Sequence, residues 1–412
     1  MAEPPRQPTV PDPTAAPLPA ITGLTRQVPG PGMPQDLRPR RANNNLDVVE
    51  HDGRLHLAFR SGIFHFASPW TWLHVVSSGD CGRTWVAETT VHMGRDLREP
   101  RLLSWDGKLF LYFFEAGRNP FAFVPGRVFA SERRGDVTWT VPVPITPPGY
   151  VVWRTKVVDG VPYMMRYRGG AAIYSTSTDP LEVEWLTTTD GYDWTPVDPT
   201  RACVYRGGAS EADFVFTDAG DLVAVLRNEA GDAGGWGSVI CRGPAADRAD
   251  WTCTHDPRKF DSPWMFTQDG RVYLVARRQV SFGGRYDLGR RRLPRAAQGL
   301  LHELAYWVTP KRTSLWEVDP ATLAVRWVLD LPSRGDTAFA SGVRLDDRRW
   351  LVFNYSSEVD GADVAWVRGQ LGPTHVYSQV LEFPSPDAPS PSPSPSPSPQ
   401  TPTPATPPTR AG

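Results

Sequence analysis

The chain has 412 residues and a formal net charge of −1. This balance gives no whole-chain reason to expect nucleic acid or an anionic membrane as a partner. No apolar run reaches the roughly 18 residues that a membrane-spanning helix needs, so the sequence predicts no membrane span. The N-terminus also lacks a basic segment followed by an apolar one, so it does not have the pattern of a signal peptide.

Proline marks both ends of the chain. Many of the 43 prolines lie in residues 1–40 and 384–412, and the second stretch contains Ser-Pro and Thr-Pro repeats. Such segments cannot build a core, so we expect the tail at 384–412 to be extended and disordered. Within residues 1–40, the pattern of a strand occurs at Ile21–Val28. The sequence therefore predicts one large domain at 41–383, which is long enough for a single core.

Four cysteines are present, and none has the Cys-x-x-Cys spacing of a zinc site: Cys81, Cys203, Cys241 and Cys253. We therefore expect no metal and no cofactor. Cys241 and Cys253 flank one predicted hairpin and are close enough in sequence to pair. The alternative is that both are small buried thiols.

One element recurs six times in the predicted domain: an apolar strand, a tight turn and a second, strongly apolar strand. The turns are His51-Asp52-Gly53, Trp105-Asp106-Gly107, Val158-Asp159-Gly160, Asp218-Ala219-Gly220, Gln268-Asp269-Gly270 and Leu345-Asp346-Asp347. Asp-Gly between apolar runs is a strong hairpin signal. Intervals of roughly 50 to 60 residues, with one longer step at the end, are typical of propeller blades.

Most repeats continue with a third strand and with a fourth strand that begins at a tryptophan. These tryptophans are Trp85, Trp139, Trp194, Trp251 and Trp327. The pattern predicts an all-β fold, a six-bladed β-propeller. A sandwich of the same strands is the alternative, but it does not explain so long a period. A helical pattern occurs in part of 291–307. The sixth repeat lacks its outer strand, and we expect Ile21–Val28 to supply it.

The stretch Ser78–Trp85 reads Ser-Gly-Asp-Cys-Gly-Arg-Thr-Trp. Asp80 can accept hydrogen bonds from its own turn, and Gly82 can adopt a positive φ. Trp85 can then pack beneath the turn. The stretch resembles the Asp-box, or BNR repeat, of sialidase-like β-propellers. The resemblance implies that Ser78, Asp80, Gly82 and Trp85 are structural and lie on the face opposite the active site.

Charged and amide residues open the first strand of every repeat, where a propeller has its central funnel. They are Asn43–Asn45, Arg98 with Glu99, Arg154 with Lys156, Glu211 with Asp213, Asp261 and Asp336. The second strands end at the same rim with Arg60, Glu115, Arg168, Arg227, Arg277 and Tyr355. Buried charges are costly, so this pattern indicates a site. The alternative is a wet, ion-paired channel mouth.

Several carboxylates and arginines in one funnel suit glycoside chemistry. Two carboxyl groups can flank a glycosidic bond as acid and as base or nucleophile. A guanidinium fork binds a substrate carboxylate through two hydrogen bonds. Both groups are present at this rim, so the pattern favours a glycan with an acidic sugar as substrate.

Two segments resemble the active-site segments of sialidases. Ser210–Asp213 with Leu226–Asn228 is similar to the segment that carries a glutamate and an arginine of the arginine triad. Asn354–Ser357 is similar to the segment that holds the nucleophilic tyrosine. The resemblance implies that Glu211 polarises Tyr355 and that Arg227 binds a carboxylate.

Three features depart from that family. Where the family has an arginine in its first blade, this chain has Asn44-Asn45-Leu46-Asp47, and Asp47 is a candidate for the acid. The third arginine of the triad has no clear counterpart, and Arg277 or Arg278 is its positional candidate. The segment Asp96–Arg101 has no counterpart in the matched motifs and adds Glu99 as a further catalytic candidate.

The sequence hypothesis is an extracellular or cell-surface, exo-acting glycoside hydrolase that acts as a monomer on glycans with an acidic or sialic-acid-like sugar. Its catalytic candidates are Glu211, Tyr355, Glu99 and Asp47. Its substrate-binding candidates are Arg98, Arg154, Lys156, Asp213, Arg227, Asp261, Arg277 and Asp336. The alternatives are a non-catalytic glycan-binding propeller and a propeller that binds other proteins.

Overall fold

The protein is a six-bladed β-propeller, as the repeats predict. The structure is a computed structural model that describes residues 18–119, 124–169 and 180–385. Six antiparallel sheets form within these ranges. Their first strands contact one another in a closed ring around the central axis. The predicted tail at 384–412 lies outside the described residues except for Pro384 and Ser385, and residues 1–17 also lie outside them.

The strands follow the predicted blade order. The first twelve are β1 (Ala20–Val28), β2 (Ala42–His51), β3 (Arg54–Gly62), β4 (Trp72–Ser78), β5 (Val86–Val91), β6 (Leu97–Trp105), β7 (Lys108–Glu115), β8 (Val128–Glu132), β9 (Val143–Pro144), β10 (Tyr150–Val158), β11 (Val161–Arg168) and β12 (Leu181–Thr188). The others are β13 (Trp194–Pro196), β14 (Tyr205–Gly207), β15 (Ala209–Phe216), β16 (Leu222–Asp232), β17 (Gly235–Gly243), β18 (Thr252–Asp256), β19 (Asp261–Gln268), β20 (Arg271–Gln279), β21 (Lys311–Val318), β22 (Val325–Asp330), β23 (Thr337–Arg344), β24 (Arg349–Ser356) and β25 (His375–Glu382).

Each blade is a meander of four strands. Blades one to five are β2–β5, β6–β9, β10–β13, β15–β18 and β19–β22, and β14 adds to blade three by pairing with β12. Blade six has the order β1-β25-β24-β23, so its outer strand comes from the N-terminal segment. The first and last parts of the chain therefore meet in one sheet, which ties the ring together.

A glutamine strengthens this closure. The Gln27 side chain on β1 donates to Ser378 Oγ on β25 at 2.9 Å and accepts from Trp85 Nε1 of blade one at 2.9 Å. The backbone N–H of Trp85 donates to Gly32 O, also at 2.9 Å. One buried side chain therefore links blade six to the Asp-box of blade one.

The turns have the geometry that their sequences predict. In four of the Asp-Gly turns both residues have positive φ, as a type I′ hairpin turn requires. In the Asp-box, Asp80 accepts from the N–H and the hydroxyl of Thr84 at 2.8 and 2.6 Å. Ser78 Oγ accepts from the N–H of Gly82 at 2.8 Å. Because these hydrogen bonds are internal to the turn, Ser78 and Asp80 have a structural role.

Every first strand has a register irregularity near its opening residues. At four of these points a residue other than glycine has positive φ: Asn45, Glu99, Ser262 and Phe339. A β-bulge bends its strand and re-aims a side chain. The bulges therefore turn the opening residues of the first strands toward the funnel.

Two helices lie on the funnel side. Helix α1 (Arg295–Trp307) falls within the stretch that has a helical pattern, whereas α2 (Trp366–Leu371) was not predicted. The two helices pack together through Tyr306 and Trp366, whose ring centroids are 5.2 Å apart. Cys241 and Cys253 form a disulfide between β17 and β18, so the paired alternative is the one present.

We expect Gln27→Ala to lower the free energy of unfolding by ~1–3 kcal/mol, because it leaves the buried Trp85 Nε1 without its acceptor. Chemical denaturation followed by tryptophan fluorescence measures this change. Thr22→Ala, an exposed change on the same strand, is the matched control. Equal stability of both variants would show that the bridge between the blades contributes nothing to closure.

Candidate functional site

Four of the predicted residues, Arg98, Glu99, Glu211 and Arg227, form the floor of the funnel. The side chains of Arg98, Glu99, Glu211 and Arg227 each keep between 8% and 12% of their surface exposed. By contrast, Tyr355 and Asp336 are fully buried. The floor of the funnel therefore offers a ligand two carboxyl groups and two guanidinium groups.

Glu99 occupies one of the bulged, positive-φ positions. Its Oε1 accepts from Asn45 Nδ2 at 3.0 Å, and its Oε2 lies 3.7 Å from Arg101 Nη2. Burial, together with repulsion from the nearby charge of Glu211, raises the pKa of Glu99 to about 8 against the attraction of Arg101. Glu99 therefore holds a proton at neutral pH and can donate it.

Two donors fix the carboxyl group of Glu211. Its Oε1 accepts from Arg227 Nη1, and its Oε2 accepts from the backbone N–H of Ser262 at 2.7 Å. Arg227 also contacts Glu229, and its Nε lies 3.0 Å from Asp261 Oδ1. One guanidinium thus serves three carboxylates, which fixes its orientation and that of Glu211.

Tyr355 does not lie against Glu211. Its hydroxyl donates to Asp336 Oδ1 at 3.0 Å and is 3.5 Å from Arg277 Nη2. Burial and the neighbouring Asp336 raise the pKa of Tyr355 well above its ordinary value. The pair implied by the family resemblance, Glu211 with Tyr355, is therefore not formed, and a proton on the Tyr355 hydroxyl is firmly held.

The carboxylate of Asp336 has several hydrogen-bonding partners. Its Oδ2 lies 2.6 Å from His65 Nδ1, and its Oδ1 accepts from Trp366 Nε1 at 3.0 Å as well as from Tyr355. Burial opposes ionisation, but His65 and Arg277 hold the pKa of Asp336 below its ordinary value. Asp336 is thus an ionised anchor for a loop, a helix and a strand.

The cations beneath α1 form a second layer. Asp261 accepts from Tyr306 on α1, and its Oδ2 is 3.2 Å from Arg277 Nη1. Lys259 and Lys311 lie over the Tyr306 ring, 4.3 and 3.9 Å from its centroid. Burial lowers the pKa of Lys259 to about 8 and that of Lys311 to about 6. Helix α1 therefore covers a cluster of charged side chains that includes Asp261, Arg277, Lys259 and Lys311.

Four predicted site residues plug the channel below the floor. Asp47 accepts from the N–H of Leu102 at 2.9 Å and from Ser341 Oγ at 2.6 Å, and it pairs with Arg154 at 3.4 Å. Arg154 and Lys156 both pair with the fully buried Asp213, at 3.4 and 2.7 Å. These contacts join strands of different blades, so the geometry gives the four residues a scaffold role.

Sequence reasoning assigned no role to several residues that shape the floor. Asp96 lies two positions before Arg98 and accepts a hydrogen bond from Arg98 Nε at 2.5 Å. It accepts another from Nε of the buried Arg60 at 2.9 Å. Arg101 packs over the rings of Trp153 and Phe339. The short spacing from Asp96 to Arg98 was a usable signal, whereas the roles of Tyr306 and Trp366 depend on helices that lie far away in sequence.

Within residues 18–119, 124–169 and 180–385, no group of three or more His, Cys, Asp or Glu side chains is arranged to hold a metal ion. Arginine and lysine side chains pair with the carboxylates around the central channel.

Solved structures of similar fold exist, at low sequence identity. A protein of unknown function from Dyadobacter fermentans matches with a TM-score of 0.55 and 18% identity, over 83% of this chain and 95% of that chain. The sialidase of Trypanosoma rangeli matches with 0.55 and 13%, over 89% of this chain and 60% of the sialidase. The endosialidase of phage phi92 matches with 0.55 and 13%, over 93% and 71%. No family model and no curated protein matches the sequence. These matches show a sialidase-like fold and do not by themselves assign an activity.

We expect the stability of Glu99→Gln to depend on pH differently from that of the wild type. Because the folded-state pKa of Glu99 is raised to about 8, its favourable contribution is complete below its ordinary pKa and is lost as the pH rises through 8. Glutamine keeps the acceptor for Asn45 and does not ionise. Between pH 5 and pH 8 the variant should therefore gain on the order of 3 kcal/mol relative to wild type. Denaturant titrations at both pH values measure it, and parallel pH profiles would contradict it.

We expect Arg227→Lys to destabilise the fold by ~1–3 kcal/mol, because an ammonium cannot reproduce three directed contacts to carboxylates. Thermal unfolding monitored by circular dichroism measures this change. Arg206→Lys, at an exposed position on β14, is the control. An unchanged melting temperature would mean that the guanidinium fork is not needed to hold the rim.

Proposed function

We propose that the protein is an exo-acting glycoside hydrolase that acts on glycans with a terminal acidic sugar. The observation that carries this proposal is the pair of unlike carboxyl groups on the funnel floor. Glu99 is protonated at neutral pH, and Glu211 is an ion-paired carboxylate near enough to raise the pKa of Glu99. Hydrolysis of a glycosidic bond uses two carboxyl groups in these two states.

In this proposal the two carboxyl groups have different roles. Glu99 donates its proton to the oxygen of the leaving group, because burial keeps it protonated. Glu211 stabilises the positive charge that develops on the sugar ring. Asn45 holds the Glu99 carboxyl through a hydrogen bond of 3.0 Å, and Ser262 holds that of Glu211.

Arg98 is the proposed contact for an acidic group on the sugar. Its side chain is the most exposed of the four that line the floor, and Asp96 fixes its orientation. A guanidinium held in this way loses little freedom when it binds a carboxylate. The similar folds named above include a sialidase and an endosialidase. That likeness supports sialic-acid-like sugars as the substrate class to test first.

Tyr355 receives a supporting role. Its hydroxyl is buried and donates to Asp336, and its pKa is raised. A nucleophile needs a weakly held proton and access to the sugar. We therefore propose that Tyr355 orients Asp336 and Arg277, rather than attacking the substrate.

The disulfide between Cys241 and Cys253 supports an oxidising location. Disulfides persist in secreted and cell-surface proteins and are rare in the cytosol of most organisms. We therefore propose that the protein works outside the cell, as a monomer, on glycans displayed there.

A non-catalytic glycan-binding propeller is the second candidate. The extensive ion pairing of Arg227, Asp261 and Asp336 favours it, because such pairing also stabilises a rigid funnel without chemistry. The two candidates share the funnel and differ in whether a bond is cleaved.

The test is hydrolysis of a panel of aryl glycosides that includes sialosides and uronides. We expect turnover of an acidic glycoside, with a kcat/KM that falls above about pH 8 as Glu99 loses its proton. Glu99→Gln and Glu211→Gln should each lower kcat by roughly 100-fold or more. Glu317→Gln, which changes a carboxylate on the outer part of blade five, is the matched control.

Two further arms of the same experiment separate the alternatives. Tyr355→Phe should retain activity within roughly tenfold, because the hydroxyl does not reach Glu211. A loss as large as that of Glu99→Gln would instead assign Tyr355 the role of nucleophile. Binding on a glycan array without turnover of any substrate, retained in Glu99→Gln, would favour the non-catalytic candidate.

A further inference from the structure

Helix α1 is amphipathic, but its faces are reversed relative to an ordinary surface helix. The residues that it buries are Gln298, His302 and Tyr306, which are spaced four apart. On another face, Leu300, Leu304 and Val308 follow the same spacing and are 62%, 54% and 64% exposed. A helix on a soluble protein normally turns its apolar stripe toward the core. The exposed stripe therefore marks an interaction surface.

The reversal is built into the fold. Gln298 Nε2 donates to Leu293 O at 2.8 Å, and His302 Nε2 accepts from the N–H of Leu288 at 3.3 Å. Tyr306 donates to the buried Asp261. Because these three polar groups have partners only on the inner side of α1, the helix cannot roll its leucines inward without leaving them unsatisfied.

Basic residues flank the stripe. Residues 285–312 contain six arginines and two carboxylates, Asp287 and Glu303. Asp287 forms an ion pair with Arg291, and Glu303 accepts hydrogen bonds from Tyr286 and Trp307. Arg290 and Arg292 are exposed, and among the residues that the structure describes their side chains make no ion pair or hydrogen bond. The patch is thus apolar and positively charged, on a chain whose overall charge is −1.

We propose that α1, with the preceding segment 290–294, docks on the surface of an anionic lipid bilayer. Exposed leucines beside unpaired arginines are the composition of helices that lie in a membrane interface. The arginines attract anionic headgroups, and the leucines and Val308 enter the boundary of the acyl chains. No described helix is long and apolar enough to cross a membrane, so this contact is peripheral.

A second copy of the chain fits the patch less well. A symmetric dimer would place the same surface of both subunits together. Both patches would carry the same positive charge, and like charges oppose such an association. An anionic lipid surface instead complements the arginines and the leucines at the same time.

The experiment is sedimentation of the full chain with phosphatidylcholine vesicles, with and without phosphatidylglycerol. We expect binding to the vesicles that contain phosphatidylglycerol, weaker binding as the salt concentration rises, and little binding to phosphatidylcholine alone. The double variants Leu300→Ser with Leu304→Ser, and Arg290→Gln with Arg292→Gln, should each bind roughly tenfold more weakly or worse.

Matched controls change exposed residues elsewhere on the propeller. Leu24→Ser with Val141→Ser removes exposed apolar surface, and Arg38→Gln with Arg83→Gln removes exposed positive charge. Both controls should bind vesicles like the wild type. All variants should keep the wild-type melting temperature, since every changed side chain is exposed.

Three outcomes would overturn the proposal. The first is no sedimentation of the wild type with anionic vesicles. The second is binding that neither double variant weakens. The third is a dimer in sedimentation velocity that Leu300→Ser with Leu304→Ser dissociates, together with no vesicle binding. That last result would assign the stripe to self-association.

Discussion

The cost of taking charged side chains out of water governs the centre of this protein. A propeller brings the openings of six strands to one axis, and here those openings are rich in charge. Most of these groups are stabilised by pairing, as Arg227 is by Glu211, Glu229 and Asp261. Glu99 has its one charged partner at a longer distance, 3.7 Å from Arg101, and it keeps its proton instead. Loss of water therefore favours ion pairing for most of the charged residues, and it favours the protonated, proton-donating form for Glu99.

The backbone determines which of the charged groups reach the funnel. Bulges turn Asn45, Glu99 and Ser262 toward its floor, while Asp47 and Asp213 lie deeper and join the blades. Blade closure by β1 keeps these positions in register, because a ring that opened would separate blade six from blade one. Helix α1 then covers part of the funnel from above. Its inner face holds Asp261, and its outer face carries the leucines, so the site and the proposed docking surface share one element.

Local patterns in the sequence were enough to predict the repeats, the Asp-Gly turns, the Asp-box and the outer strand from Ile21–Val28, because each depends on residues close together in the chain. The charged openings of the first strands were also visible. The partners of those residues were not. The resemblance pairs Tyr355 with Glu211, but its hydroxyl donates to Asp336 on the neighbouring strand end of the same blade. Helix α2 has only six residues and no side-chain cap, so it left no periodic signal for Trp366.

The most direct test of the account is a carbon-13 NMR titration of the protein labelled at the side-chain carboxyl of glutamate, with Glu99→Gln used to assign the signal. The account predicts one glutamate carboxyl that titrates near pH 8 in the wild type and is absent from the variant. A spectrum in which every glutamate has titrated by about pH 6 would contradict it. In that case Glu99 would be ionised at neutral pH, and the funnel would hold no carboxylic acid able to donate a proton to a glycosidic oxygen.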